Sequence, residues 1–254
     1  MIASRLSFFV LRRKLKMQFE QRILVVGGTS GFGMEITRQA LQHGARVHII
    51  GRTTAHVAVA VKKLGAPDRL MGTALEAQNK EQLTAFFESN AGFDHVISML
   101  GGAMGGGFLD NSVAAIRQTV EAKFFANLQL AQIASRHLNQ HGSLIFTSGA
   151  GGRPDNASGA IIGNQAINTM VAGLAVELAP NYRVNAVAPT WTPTGLWRQL
   201  SAEQLATQTA EVSDGNPLKR VATPAEVATA YLYLMQNQFV TGQVLHVDGG
   251  VELA

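Results

Sequence analysis

The chain has 254 residues, 46% hydrophobic and 15% charged, a balance that suits one α/β domain with a sizeable core and excludes a disordered chain. It contains no cysteine, so disulfides, thiolate metal sites and a cysteine nucleophile are excluded, and no uninterrupted apolar run approaches the ~18 residues of a membrane span. The net charge of +4 arises in residues 1–16, where Arg5, Arg12, Arg13, Lys14 and Lys16 stand without an acid; the rest carries 16 basic against 17 acidic side chains, which gives a nucleic-acid partner no support.

Residues 1–16 read as a basic leader outside the fold, either a loose tail or a stretch upstream of a translation start at Met17. Its apolar centre, Leu6 to Leu11, is too short for a secretory core, and a basic amphipathic segment touching a membrane is the competing reading. The domain is expected over residues 17–254. Ile23-Leu24-Val25-Val26 reads as its first, buried strand. A glycine-rich turn follows, Gly27-Gly28-Thr29-Ser30-Gly31-Phe32-Gly33, and then Met34, Ile36, Ala40 and Leu41 recur at helical steps. Strand, glycine turn and helix open a dinucleotide-binding βαβ unit. A pyrophosphate needs backbone N–H donors at a helix N-terminus. Side chains at Gly27, Gly31 and Gly33 would hold the backbone away from it or push the helix off the strand. Thr29, Ser30 and Phe32 complete that cofactor-binding turn. The spacing is G-x-x-x-G-x-G rather than the commoner G-x-G-x-x-G, and an ordinary tight turn is the alternative.

Arg46–Ile50 reads as the second strand. At its end a cofactor with a free ribose 2′-hydroxyl normally meets an acid. Here stand Gly51-Arg52-Thr53, with no carboxylate to repel a 2′-phosphate and an arginine able to pair with one. The pattern points to NADP(H), with Arg52 and Thr53 as contacts; a solvated loop arginine is the alternative. Residues 54–64 form a helix and Leu70–Leu75 a third strand, after which Glu76 is placed to accept from an adenine amino group. Lys80–Ser89 is helical and Asp94–Met99 is the fourth strand. Gly101 to Gly107 is a glycine-rich loop, either flexible beside a ligand or plain surface; its place at the carboxyl edge of the sheet favours the former.

Residues from about 111 to 139 read as helix in two pieces, and Ser143–Ser148 as the fifth strand. Ala157–Ala179 is a long apolar helix, which calls for the sheet on one side and a second subunit on the other. Arg183–Ala188 is the sixth strand. Pro189 to Pro193 is a loop, and Leu196, Trp197 and Leu200 form a segment able to lie over the site. Trp191, Leu196, Trp197, Met104 and Phe108 either line an apolar substrate pocket or serve as lid packing. His137 and His141 read as cations at a helix C-terminus rather than metal ligands, and no metal site is expected. Thr223-Pro224-Ala225-Glu226 opens a helix with a capping box, and Val244–Val247 is the last strand. The alternation implies a mostly parallel, doubly wound sheet with one core.

These residues resemble one family, the short-chain dehydrogenases/reductases, from about Gln21 to Gly250. The family's T-G-x-x-x-G-x-G appears as Val26-Gly27 to Gly33 with valine for threonine. Ala175-Val176-Glu177-Leu178-Ala179-Pro180, Arg183-Val184-Asn185-Ala186-Val187-Ala188-Pro189 and Thr241-Gly242 to Asp248-Gly249-Gly250 also match. The resemblance implies a single-domain Rossmann-type sheet of order 3-2-1-4-5-6-7 flanked by helices, and dimers or tetramers built on the long helices. It also implies hydride transfer between nicotinamide and a carbonyl or alcohol. In the family a tyrosine moves the proton, a lysine four residues later lowers its pKa, a serine holds the substrate oxygen and an asparagine supports a water relay. Ser148 fits the serine. The tyrosine position falls on Ala160 and the lysine position on Asn164. Tyr182, Tyr231 and Tyr233 lie by the sixth strand and on a late helix, where none can substitute. The run N-N-A-G is Ser98-Met99-Leu100-Gly101, with Leu100 and Gly101 as cofactor contacts, and the asparagine falls on Lys123. After the sixth strand Pro189 is kept and Thr190 replaces a glycine. Thr192 and Thr194 remain where the family contacts the carboxamide and phosphates.

The cofactor half of the pattern is thus retained and the proton-transfer half altered. Lys123 is the candidate replacement, since a desolvated lysine beside the cofactor has its pKa lowered toward neutrality and is able to protonate or stabilise a developing alkoxide; a snorkelling lysine or a ribose contact is the alternative. Two functions follow as expectations. One is an NADP(H)-dependent oxidoreductase for a small or medium apolar carbonyl or alcohol, cytoplasmic and a homodimer or homotetramer, with catalytic Ser148 and Lys123. The other is a non-catalytic NADP(H)-binding sensor or partner subunit on the same fold.

Overall fold

A computed structural model describes residues 21–253, so the basic leader and Met17 lie outside the described residues. Seven strands, β1 (Arg22–Val26), β2 (Arg46–Gly51), β3 (Leu70–Ala74), β4 (Phe93–Ser98), β5 (Leu138–Thr147), β6 (Arg183–Pro189) and β7 (Val244–Val247), form one sheet in the order β3-β2-β1-β4-β5-β6-β7. Every pairing is parallel. The helices are α1 (Gly31–Gln42), α2 (Thr54–Leu64), α3 (Lys80–Ser89), α4 (Val113–Val120), α5 (Ala126–Ala134), α6 (Ser158–Glu177), α7 (Ala202–Gly215) and α8 (Pro224–Gln236). This is the doubly wound Rossmann-type arrangement with the expected strand order.

Strand β1 explains why the sheet is covered on both faces. All four of its apolar residues are buried, and successive side chains point to opposite sides. Leu24 and Val26 join Phe86, Phe87, Leu130, Ile167 and Val171 in one core layer. Ile23 and Val25 join Ile36, Ala40, Tyr231 and Leu234 in the other. Each such side chain contributes ~1.5–3 kcal/mol by leaving water. Val26 pairs with Ile50 on one side and Ser98 on the other. The loops after β1, β2 and β4 therefore meet at the point where the strand order reverses, the usual ligand crevice of such a sheet.

Three expectations change. The helix expected to reach residue 139 ends at Ala134, and β5 begins at Leu138. His137 and His141 thus belong to no helix: the His137 ring packs on Phe87 (centroids 5.6 Å apart), and His141 adopts φ 65 within the strand. Their spacing resembled a helical pair only because the strand's first five residues are largely polar. Helix α7 was not expected at all, yet Ser201 and Gln204 form a full capping box at its start. The 20-residue helix α6 is long and apolar enough to cross a membrane by length and composition alone. Its Ile167, Met170, Val171 and Ala175 are instead buried in the core, while Ile162 and Val176 are exposed on its outer side. The capping box at Thr223 and Glu226 forms as expected.

Candidate active site

The glycine turn is built by close approach. Gly27 has φ +87, and its N–H donates to Ile50 O at 2.9 Å. A Cβ on Gly33 would lie 2.3 Å from Gly27 O, so any side chain there would drive α1 off β1. A Cβ on Gly31, at φ +53, would meet Thr194 Cβ at 3.5 Å, because the loop after β6 folds over the turn. Ser30 is the N-cap of α1 but makes no side-chain cap bond, and the first turn carries no acid. The cradle of small residues and the uncapped helix N-terminus fit a pyrophosphate, an anion that backbone N–H groups and the helix dipole stabilise.

Around this turn the adenosine-side candidates separate. Thr29 packs its methyl group over Gly51 at the end of β2. Arg52 is exposed and forms no ion pair among the described residues. The Thr53 hydroxyl is already the N-cap of α2, accepting from His56 N at 3.2 Å. Glu76 is exposed at the β3 edge, where Oε1 accepts from Gln78 N at 3.4 Å.

The proton-transfer side is more unusual. The helical stretch expected in two pieces is α4 and α5 joined by a π turn, Glu121–Phe125. Such turns are rare and concentrate at functional sites. Lys123 lies at its centre and is 7% exposed. Its side chain runs between two glycines. A Cβ on Gly163 of α6 would lie 2.9–3.4 Å from Lys123 Cβ, Cδ and Cε. A Cβ on Gly101, just past β4, would lie 3.3 Å from Nζ. Nζ has no hydrogen bond or ion pair among the described residues. Burial alone lowers its pKa from 10.5 to about 8.

Ser148, immediately after β5, is buried, and its hydroxyl faces α6 rather than open space. It donates to Asn168 Oδ1 at 2.7 Å and lies 3.2 Å from Asn164 O. Asn168, one turn beyond Asn164, accepts the hydroxyl's hydrogen in this arrangement. Ala160 and Asn164 occupy α6 on either side of Gly163. Asn164 Nδ2 points to Gly149 O at 3.4 Å, and its buried Oδ1 has no partner. A buried acceptor without a donor is costly, and a ligand hydroxyl would satisfy it.

The residue-by-residue likeness agrees with wider comparisons. The family model described as Enoyl-(Acyl carrier protein) reductase matches residues 26–252. The short-chain dehydrogenase/reductase fsr5 of Gibberella fujikuroi is 31% identical over 252 residues, covering 92% of this chain and 95% of that one. The protein belongs to the short-chain dehydrogenase/reductase family. Carbonyl reductase family member 4 of Danio rerio is 27% identical over 241 residues, covering 91% of this chain and 97% of its own. Among solved structures, a small-chain dehydrogenase in complex with NADPH is 30% identical with a TM-score of 0.79, covering 92% and 99% of the two chains.

Within this short-chain dehydrogenase/reductase the sheet edge gathers most of the candidate residues. Thr194 lies over Gly31; Leu100 and Gly101 leave β4; Thr192 is buried after β6, its hydroxyl donating to Thr190 O at 3.1 Å. Trp191 and Trp197 pair with ring centroids 5.7 Å apart, and Trp197 Nε1 donates to Thr192 O at 3.0 Å. Phe108 and Leu196 are exposed. Met104 sits where a Cβ on Gly159 would meet its Sδ at 2.6 Å. That contact, a Gly106–Ala157 bridge, and bonds from Asn111 Nδ2 to Gly105 O, Gly107 O and Ser158 Oγ tie the glycine-rich loop to the start of α6. The loop is anchored, not free, because small residues on both partners let the backbones touch. Tyr231 is fully buried, its hydroxyl 2.7 Å from Thr147 Oγ1. Burial pushes that phenol's pKa above its ordinary range, so it has no part in proton transfer. Asn127 and Asn168 were not anticipated. Both stand one helical turn from a candidate, at spacing four from Lys123 and Asn164, which was the available signal.

Proposed function

We propose that this short-chain dehydrogenase/reductase uses NADP(H) to reduce or oxidise a small or medium apolar carbonyl or alcohol, with Lys123, at the family's asparagine position, taking over the proton transfer that the family pattern gives to its tyrosine and lysine. The observation that carries the reading is Lys123, a residue only 7% exposed, whose Nζ has no hydrogen-bond or ion-pair partner among the described residues and whose side chain runs between Gly101 and Gly163. NADP(H), when bound, supplies or accepts the hydride. The chain's own part is to hold it and to move a proton. The N-terminus of α1 receives the pyrophosphate, with Thr194 above it. Arg52, exposed and without an acid beside it, favours a 2′-phosphate, and the NADPH complex of a relative 30% identical to this chain supports that preference. As negative charge develops on a carbonyl oxygen beside Gly101, Lys123 donates its proton; in the reverse direction the neutral amine takes one. A pKa of about 8 leaves the group mostly charged at neutral pH yet close enough to neutrality to exchange. Asn164 Oδ1 accepts from a ligand hydroxyl. A second copy covers the exposed Ile162 and Val176 of α6, which makes the protein a homo-oligomer.

Fluorescence titration with NADPH and NADH, followed by a carbonyl panel read at the nicotinamide absorbance, tests the reading. NADPH should bind more tightly than NADH, and turnover of a panel member should fall in Lys123→Ala. Failure to bind either nucleotide would refute it. Ser148 favours a second reading. Its hydroxyl is given to Asn168 and Ala160 offers none, which suits a non-catalytic NADP(H)-binding sensor or partner subunit. Tight NADPH binding without consumption across the panel would select that alternative.

A further inference from the structure

Helix geometry alone does not hold Lys123 in its slot. The π turn bonds Ala126 N–H to Glu121 O, five residues back, which widens the helix by one residue. Asn127, in the first turn of α5, bonds this wide turn to the end of β4. It is fully buried. Its Nδ2 donates to Lys123 O at 2.6 Å and to Leu100 O at 3.2 Å, while Oδ1 accepts from Ser98 Oγ at 2.5 Å. Both amide hydrogens and the oxygen are used, which fixes the amide's orientation: turned over, its oxygen would face two carbonyl oxygens. Ser98 Oγ also accepts from Leu100 N at 3.2 Å. The bonded partners are the end of β4 and the π turn, the segments that carry Gly101 and Lys123.

We propose that Asn127 is the positioning residue for Lys123, its amide clamping the π turn to the end of β4 and so holding the ammonium between Gly101 and Gly163. The inference takes its functional meaning from the role proposed above for Lys123, and adds which residue keeps it there. The residue type matters. Aspartate would turn a charged oxygen toward two carbonyls, and leucine fills the volume but bonds to nothing. Released from the clamp, the turn relaxes and the amine becomes more exposed to water.

The test uses the full-length, ligand-free protein with ¹³C-labelled lysine, the Lys123 ε-carbon signal being assigned by its loss in Lys123→Met. In the wild type that signal should titrate well below those of the other lysines. In Asn127→Leu it should move up by about one pH unit or more, toward the ordinary lysine value, and Ser98→Ala should move it in the same direction by less. Should Asn127→Leu fail to fold, Ser98→Ala carries the test. With a turned-over substrate, kcat should fall about tenfold or more while the KM for NADPH changes by less than about threefold. A Lys123 titration unchanged from wild type in the folded variants overturns the proposal, whatever happens to their melting temperatures, because a merely structural asparagine would lower stability without moving the amine. The titration needs no cofactor, so failure of the clamp is distinguishable from failure of NADPH binding.

Discussion

Replacing Lys123 by methionine should stabilise the protein and disable it together. Methionine keeps an unbranched stem to pack against Gly163 and removes only the ammonium. In the folded chain the lysine pKa falls from 10.5 to about 8, a difference of about 2.5 units, and one unit corresponds to ~1.36 kcal/mol. Burying the charge therefore costs about 3 kcal/mol. The sign follows from proton binding. Between pH 8 and 10.5 the unfolded chain holds the proton and the folded chain does not, so wild-type stability rises with pH across that window. Below about pH 8 both states are protonated and the full penalty applies. At pH 7 Lys123→Met should therefore exceed the wild type by about 3 kcal/mol, on the order of 10 °C in melting temperature for a chain of this size, and the gap should close as pH approaches 10.5. Turnover should drop ~10²–10⁴-fold if the ammonium is the proton donor. Urea unfolding of both proteins from pH 7 to 10 measures the first effect and the carbonyl panel the second. A variant no more stable than wild type at pH 7, or a gap that does not vary with pH, would refute the buried, unpaired ammonium.

Other consequences are simpler. Gly33→Ala places a Cβ 2.3 Å from Gly27 O; overpacking of that kind costs ~1–3 kcal/mol, so the urea midpoint should fall, and NADPH should bind more weakly in a fluorescence titration because α1 is pushed off β1. Arg52→Ala should weaken NADPH about ten- to a hundredfold through loss of a charge-assisted bond worth ~1.5–3 kcal/mol, while NADH binding stays the same; equal loss for both nucleotides would remove Arg52 from the 2′-phosphate site. His95 is buried, bonded to Ser143 Oγ at 2.8 Å, and its pKa is lowered from 6.5 to about 4, by burial first and Arg183 second. The unfolded chain takes up that proton as pH falls from 6.5 to 4 while the folded chain does not, so up to about 3 kcal/mol of stability should be lost over that window. Urea midpoints of wild type and His95→Gln at pH 7 and pH 4.5 should show a smaller acid loss in the variant.

What the sequence made legible, and what it hid, divides along physical lines. The strands themselves were readable because each announces itself locally: Ile23–Val26 is apolar on both faces, and a glycine turn must follow where backbone approaches backbone; their order in the sheet came from the family resemblance and is the order found. Gly33 could be read in one dimension, since its constraint is a carbonyl only six residues away. The place of Arg52 was readable because it follows directly on β2. The N-terminal part of β5, Leu138 to Gly142, was not, since its three polar residues are exposed and the register against β4 shifts between Leu138 and Ser143, so no apolar alternation marks it. Helix α7 was missed although Ser201 and Gln204 carry a capping signal, because none of its residues is buried, so no apolar stripe marks it.

The site chemistry was hidden for a different reason: it lies in side-chain orientation across large sequence separations. Ser148 falls at the expected position, yet the destination of its hydroxyl depends on Asn168, 20 residues on. Lys123 could be named as a candidate, but its burial depends on two glycines, at 101 and 163, that clear space from different elements. The π turn is bonded through one amide that joins residues 98, 100, 123 and 127. Composition and periodicity contain none of these relations. They also explain why an ammonium can sit where the family pattern puts an asparagine. Asparagine at that position is short and neutral, whereas lysine needs a channel for its stem and a support for the widened turn. Gly163 leaves room for that stem and Asn127 bonds the turn that carries it, so on the proposed role of Lys123 the three positions are one unit.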